Sequence, residues 1–147
     1  MTSSAFKAYE TTEDRQRQNK MVQAIARLWN FVPEDQGKFA VIDYKCYRDG
    51  KLVALLEIKS KFCRFEDYDT YLCTCQDIDY GLSSSKKYGV PFIMAVKFDN
   101  FWGYLNITHA NFPSRRSGQK NRNDPKDTLA MCYLIPMDEF KELKAHV

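Results

Sequence analysis

The sequence predicts an α/β fold with a central mixed β-sheet flanked by helices. An amphipathic helical pattern opens the chain, two apolar strand patterns meet at an Asp-Gly turn, and a buried-type strand follows a second helical segment. This order of helix, hairpin, helix and strand is typical of helices packed on a sheet. With 147 residues, 44% of them hydrophobic, we expect residues 1–147 to form a single domain.

The first predicted helix follows a polar segment, residues 1–11, that we expect to be flexible. Thr11 or Thr12 can cap this helix, and apolar residues then recur on one helical face. These residues are Met21, Val22, Ile25, Leu28 and Trp29. The Phe31-Val-Pro33 segment ends the helix, and residues 34–37 are predicted as a loop.

Two strands come next and form a hairpin. They run from Phe39 to Tyr47 and from Leu52 to Phe62, and the turn between them lies at Asp49-Gly50. The remaining predicted elements are a helix from about Tyr71 to Tyr88, strands at 91–98, 101–108 and 128–135, a polar loop at 111–127, and a short helix from Pro136 to near His146.

Three charged residues lie within the predicted hairpin. Asp43 is in the first strand, and Glu57 and Lys59 are in the second, two residues apart and therefore on the same face. Their neighbours are apolar, and charged residues are rarely buried unless they are paired or bind a metal. Two carboxylates and a lysine in this setting predict a site for a divalent cation and a phosphate. A cross-strand salt bridge at a sheet edge is the alternative explanation.

The register of the hairpin decides whether these charges lie together. A two-residue loop at Asp49-Gly50 would by itself turn Asp43 away from Glu57. A three-residue loop, or a β-bulge, would shift the pairing by one residue and bring Asp43 to the face of Glu57 and Lys59. A catalytic site at the hairpin therefore requires one of these two features.

The hairpin pattern resembles the PD-(D/E)xK nuclease superfamily. Asp43, thirteen intervening residues, and Glu57-Ile58-Lys59 on a second strand match its motif, although Ile42 stands where the written motif has proline. The element order from Thr12 to Phe98 also resembles the superfamily's restriction-endonuclease-like core. The resemblance implies hydrolysis of DNA phosphodiester bonds, and the size of the chain resembles that of Holliday-junction resolvases and of phage- or mobile-element-encoded nucleases.

The resemblance implies roles for the hairpin residues. Asp43 and Glu57 would bind Mg²⁺, with Mn²⁺ as a substitute, and the backbone carbonyl of Ile58 would add a ligand. Lys59 would hold the scissile phosphate or an attacking water and offset developing negative charge.

A glutamate on the first helix lies near the metal in many relatives. Glu13 is therefore a further candidate for catalysis and metal binding, and Glu10 and Asp14 compete with it. An acid in the first turn of a helix is equally explained by the helix dipole.

Other candidates lie outside the hairpin. Gln76-x-x-x-Tyr80 resembles an element of RecB-type nucleases on the helix after the lysine strand, and its two side chains share one helical face. Gln76 is therefore a candidate for the catalytic site and Tyr80 for contact with DNA. Lys61 has the strand parity of Lys59 and is a candidate phosphate contact. The predicted basic loop at 110–127 adds four candidate DNA contacts, Arg115, Arg116, Lys120 and Arg122.

The composition narrows the classes of function. No apolar run approaches the roughly 18 residues that a membrane span needs, and no glycine-rich phosphate loop indicates a nucleotide cofactor. The first residues lack the apolar core of a signal peptide, so we expect a cytoplasmic protein of a bacterium or a phage-infected cell.

DNA is the expected partner, and a homodimer is also expected. The aromatic-rich segment from Phe101 to Tyr104 is a candidate dimer interface, with core packing as the competing use. Two alternatives stay open: a nucleic-acid-binding protein of this fold without turnover, and a protein that acts on a host protein.

Overall fold

A six-stranded mixed sheet separates the two α-helices that the structure describes. The structure is a computed structural model that describes residues 12–37, 40–109, 117–120 and 129–146, with residues 117–120 and 129–130 described by their backbone alone. The helices are α1 (Thr12–Trp29) and α2 (Cys75–Tyr88). The strands are β1 (Val32–Asp35), β2 (Tyr44–Arg48), β3 (Lys51–Ser60), β4 (Thr70–Thr74), β5 (Phe92–Lys97), β6 (Trp102–Asn106), β7 (Ser117–Lys120), β8 (Leu129–Pro136) and β9 (Lys141–Glu142).

The main sheet has the strand order β1-β2-β3-β5-β6-β9, and a second sheet has the order β4-β8-β7. Strands β3 and β5 are parallel, whereas the other neighbouring strands of both sheets are antiparallel. A parallel pair needs a long crossover, and here β4 and α2 supply it between β3 and β5. The predicted mixed sheet flanked by helices is therefore confirmed.

Each face of the main sheet buries its own apolar cluster. On one face, Met21, Val22 and Ile25 of α1 pack against Leu56 and Ile58 of β3. On the other face, the cluster joins residues of β3, α2, β5 and the second sheet, including Leu55, Ile78, Phe92, Tyr71 and Ile135. The alternation of Leu55 and Leu56 between the two clusters follows from the two-residue period of a strand.

Helix α2 lies unusually near the main sheet because Gly81 has no side chain. A Cβ atom at Gly81 would lie 2.1 Å from the ring of Phe92 in β5. The helix begins at a Thr74 cap, whose hydroxyl accepts a hydrogen bond from the Asp77 amide at 3.4 Å. It ends at Gly89, which adopts a left-handed conformation with a φ of 67°.

Two predicted helical segments are wrong. Residues 71–74 belong to β4, in which Tyr71 and Cys73 are buried and pair with β8. The predicted C-terminal helix is a 3-10 turn at Met137–Glu139 followed by β9. Tertiary packing overrides helix propensity at both places. Tyr71 and Cys73 are buried in one apolar cluster of the main sheet, Phe140 is buried in the same cluster, and Leu143 is buried in the other.

Two strands of the structure lie in segments that were not predicted as strands. Residues Val32–Asp35 form the edge strand β1, where Pro33 is tolerated because an edge strand can do without one donor. Residues Ser117–Lys120 form β7 within the predicted polar loop. The first hairpin strand begins at Tyr44 and not at Phe39, and residues 38 and 39 lie outside the described residues.

The predicted interface segment from Phe101 to Tyr104 contributes to the core. Trp102 is buried, and the Tyr104 ring packs edge-on against Trp29 with centroids 5.0 Å apart. Strand β6, which includes Trp102 to Tyr104, pairs with β9. Among the described residues, no helix is long and apolar enough to cross a membrane.

Candidate active site

The hairpin combines a two-residue turn with a β-bulge. Arg48 pairs with Lys51, and the turn residues Asp49 and Gly50 both have positive φ values, 52° and 78°. These values fit the type I′ turn that joins strands most tightly. The register then shifts after Tyr47↔Leu52, since the next pair is Cys46↔Ala54. Val53 is thus the extra residue of the bulge.

The bulge supplies the shift of one residue that the sequence required. Tyr44 pairs with Leu56, so Asp43, one residue before β2, comes to the position opposite Glu57. Its Oδ2 atom accepts a hydrogen bond from the backbone N–H of Ile58 at 2.8 Å. The carboxylate thereby binds β3 just beyond the last pair between the two strands. The three-residue loop is absent, and the bulge takes its place.

Gln18 of α1 forms hydrogen bonds with both Asp43 and the backbone of Ile58. Its Nε2 atom donates to Asp43 Oδ2 at 3.0 Å and to the carbonyl oxygen of Ile58 at 3.2 Å. Asp43 is fully buried and Gln18 is 8% exposed, so these hydrogen bonds form away from water. One amide therefore orients both a candidate metal-binding carboxylate and a candidate metal-binding carbonyl.

Lys59 lies between two carboxylates. Its Nζ atom is 2.9 Å from Glu57 Oε2 and 3.3 Å from Asp77 Oδ2. Of the charged side chains that the structure describes, the buried ones are Asp43, Glu57 and Asp77. Buried charge is costly unless it is paired. Two of these three carboxylates pair with Lys59, which makes this cluster the candidate functional site.

The pKa of Lys59 reflects these surroundings. Burial by itself lowers the pKa of the ammonium group, but the negative charges of Glu57 and Asp77 raise it. The carboxylates prevail, and the pKa of Lys59 lies well above its ordinary value of 10.5. The lysine is therefore a fixed positive charge at neutral pH.

Two residues that contact the candidate site, Gln18 and Asp77, were not predicted from the sequence. Each had a signal in the spacing. Gln18 is three and seven residues before Met21 and Ile25, and so is a polar residue on the apolar face of α1. Asp77 is four residues before Gly81, the position at which α2 contacts the sheet.

The first-helix candidates lie at the periphery. Glu13 is exposed, five residues from Gln18 and on another side of α1. Asp14 is half-buried and accepts a hydrogen bond from Arg17 at 3.2 Å. Glu10 lies outside the described residues. The contact of α1 with Asp43 comes from Gln18.

The candidates on α2 are also exposed. Gln76 and Tyr80 lie on the solvent side of the helix, and Tyr80 is 47% exposed. The residue of α2 that reaches Lys59 is Asp77, next to Gln76 in the chain. Contact of Gln76 or Tyr80 with DNA stays a prediction.

Lys61 lies one residue beyond the end of β3 and has the same strand parity as Glu57 and Lys59. Its backbone N–H bonds to the carbonyl of Lys97 at 2.8 Å, which keeps it beside β5. The side chain borders a cleft of about 260 Å³ that also includes Tyr68, Thr70 and Tyr71. Arg115, Arg116 and Arg122 lie outside the described residues, and the side chain of Lys120 is not described.

The donors at the hairpin suit a hard cation. Asp43 and Glu57 offer carboxylate oxygens and Ile58 offers a carbonyl oxygen, the ligand types of Mg²⁺, which keeps several waters. Among the described residues, no three His, Cys, Asp or Glu side chains form a metal-binding group. The hairpin would offer an ion two carboxylates and one carbonyl oxygen, and water would complete its coordination.

The fold is similar to that of a solved nuclease structure. That structure is Hjc, a Holliday junction resolvase from the archaeal hyperthermophile Archaeoglobus fulgidus, with a TM-score of 0.54 and 11% sequence identity. The likeness covers 84% of this chain and 88% of Hjc, and at this identity it establishes the fold alone. The architecture is thus the restriction-endonuclease-like α/β core.

The family assignment is more specific. Residues 5–143 match the family described as "Phage putative PDDEXK endonuclease", and the chain belongs to that family. No curated protein matches the sequence. Family and fold together identify a nuclease of the PD-(D/E)xK type.

Proposed function

We propose that this protein hydrolyses phosphodiester bonds in DNA with Mg²⁺ bound by Asp43, Glu57 and the carbonyl of Ile58. The observation that carries the proposal is the burial of Asp43 and Glu57 at a bulged hairpin beside Lys59. The chemistry that Mg²⁺ supplies when bound is polarisation of a phosphate oxygen and a lower pKa for an attacking water.

Each side chain has a distinct task in this proposal. Asp43 is held by the Ile58 amide and by Gln18, so its carboxylate is oriented before a cation or DNA arrives. Preorganised ligands and charges avoid reorganisation during the reaction. Lys59, which keeps its proton because of its raised pKa, binds the scissile phosphate and stabilises the charge that develops there.

DNA would approach along the side of the sheet that contains Lys59 and the Lys61 cleft. Lys61 supplies a positive charge two residues beyond Lys59, at the border of that cleft. Phosphate contacts of this kind position the nucleic acid without reading its sequence. In the proposal Glu13 is a further metal-binding candidate and Gln76 a further candidate for the catalytic site, whereas Tyr80 and the basic residues of the 110–127 loop contact DNA. A homodimer would reach both strands of a substrate.

The experiment compares the wild type with three site variants, Asp43→Asn, Glu57→Gln and Lys59→Met. Asp79→Asn is the matched control, since Asp79 is an exposed acid of α2 that accepts a hydrogen bond from Tyr133. Each protein is incubated with linear, circular, single-stranded and branched DNA, with Mg²⁺, with Mn²⁺ and with chelator.

We expect metal-dependent cleavage of at least one substrate by the wild type and the control. The site variants should lose roughly 100-fold or more, and Lys59→Met should still bind DNA. Cleavage of no DNA topology with either metal would overturn the proposal and favour a protein that binds nucleic acid or a host protein. Full activity of the three variants would overturn it as well.

A further inference from the structure

We infer that Asp77 is a positioning residue that holds the ammonium group of Lys59 at the reaction site. The inference rests on the proposed function and adds a residue from α2 to the hairpin. Lysine has a long, flexible stem, so one contact fixes the position of its nitrogen poorly. Here Nζ has a carboxylate on its own strand, Glu57 at 2.9 Å, and one on a helix, Asp77 at 3.3 Å.

The position of Asp77 in the helix indicates a role other than capping. It is the third residue of α2 after the Thr74 cap, where an acid normally reaches back to the amide of the capping residue. The Asp77 side chain contacts Lys59 instead. Within the part of the chain that the structure describes, its Oδ1 atom is buried and makes no hydrogen bond. This placement is costly for a residue that only stabilises a helix.

An exposed acid in the first turn would serve the helix dipole as well as a buried one. Asp77, in contrast, is 5% exposed. The approach of α2 to the sheet, which Gly81 permits by its contact with Phe92, brings this carboxylate to Lys59. The helix is thus placed so that an acid on its inner face meets the lysine.

The two carboxylates differ in their tasks under the proposed function. Glu57 is also a metal ligand there, so its charge is shared between the cation and Lys59. Asp77 belongs to another element and keeps its contact with Lys59 whether or not Glu57 binds a cation. Lys59 is 28% exposed, so without Asp77 its side chain has access to solvent-facing rotamers. Misplacement of a reacting group by about 1 Å can lower a rate by roughly 100-fold.

The test uses Asp77→Ala and Asp77→Asn, with Asp79→Ala as the matched control. We expect kcat to fall by roughly 10- to 100-fold in Asp77→Ala, while the KM for DNA and the Mn²⁺ concentration for half-maximal cleavage change little. Asp77→Asn should retain more activity, because its amide oxygen can still accept a hydrogen bond from Lys59.

A second readout needs no activity. In chelator, Asp77→Ala should lower the thermal unfolding midpoint less in a Lys59→Met background than in the wild type, because the partner is already absent. Equal lowering in both backgrounds would overturn the inference, as would wild-type kcat in Asp77→Ala. A large rise in the Mn²⁺ requirement would also overturn it, since Asp77 would then be a metal ligand.

These outcomes separate the two proposals. If the wild type cleaves DNA, Lys59→Met does not, and Asp77→Ala is fully active, this inference fails while the proposed function stands. If Lys59→Met is fully active, the proposed function fails first.

Discussion

The carboxylate of Asp43 accepts a hydrogen bond at 2.8 Å from the backbone N–H of Ile58, a residue fifteen positions further along the chain. The contact joins the residue just before β2 to the C-terminal part of the motif strand β3. It depends on the bulge at Val53, because the two-residue turn alone would set the two strands one residue out of step.

Deletion of Val53 should therefore abolish cleavage. Without the extra residue, the register set by the Asp49-Gly50 turn extends along the hairpin and moves Asp43 off its position beside Glu57. The measurement is metal-dependent DNA cleavage, with circular dichroism to verify the fold. Val53→Ala, which keeps the bulge and shortens only the side chain, should cleave normally. Wild-type cleavage by a folded deletion variant would contradict the importance of the bulge.

Gln18→Leu should weaken both stability and metal binding. The substitution keeps the volume but removes the donor to Asp43 and Ile58, leaving buried acceptors without it, which costs about 1–3 kcal/mol. Loss of such an orienting partner typically weakens metal affinity by about 10- to 100-fold. Urea unfolding and Mn²⁺ titration measure the two effects. Gln23→Leu, at an exposed position of the same helix, is the control. Tighter Mn²⁺ binding by Gln18→Leu would show that the amide competes with the metal.

Gly81→Ala should destabilise the protein although alanine favours helices. The propensity gain is about 1 kcal/mol, whereas a Cβ 2.1 Å from the buried Phe92 ring forces α2 away from β5, at a cost of about 1–3 kcal/mol or more. Cleavage should fall too, because the shift withdraws Asp77 from Lys59. Ser83→Ala on the exposed side of α2 should be harmless. A more stable Gly81→Ala variant would disprove the close contact.

The protein should lose stability under alkaline conditions. Burial raises the pKa of the Cys46 thiol from 9.0 to about 12. A group whose pKa is higher in the folded state contributes stability that is complete below its unfolded pKa and is lost as the pH rises through its folded pKa. The buried groups Tyr71 and Cys73 shift in the same direction.

The unfolding free energy should therefore be level up to about pH 9 and decline towards pH 12. Cys46→Ala should make the decline shallower, which chemical denaturation at a series of pH values will reveal. A wild-type curve that stays level to pH 12 would contradict the assignment.

Strong local patterns made much of the fold predictable. The apolar face of α1, the Asp49-Gly50 turn and the buried strand β5 each rest on residues close in sequence, and the structure has all three. The predictions failed at β4 and at the C-terminal end, where apolar residues are held by partners far along the chain. Pairing between distant segments leaves little trace in a local pattern.

The candidate site also has a part that the sequence predicts and a part that it does not. The hairpin charges were visible because Asp43, Glu57 and Lys59 interrupt apolar strands. Gln18 and Asp77 come from separate helices, and only the packing of those helices on the sheet brings them to the hairpin. The spacing of Gln76 and Tyr80 predicted that they share one helical face. In the structure that face of α2 is the exposed one.

The most direct test of the central claim is the binding of Mn²⁺, measured by calorimetry in the wild type, Asp43→Asn, Glu57→Gln and the double variant. If the bulged hairpin makes one site of the two carboxylates, each single substitution should weaken binding by roughly 10- to 100-fold or more, and the double variant should be little weaker than either. Wild-type affinity in the two single variants would contradict the claim that Asp43 and Glu57 hold one metal ion.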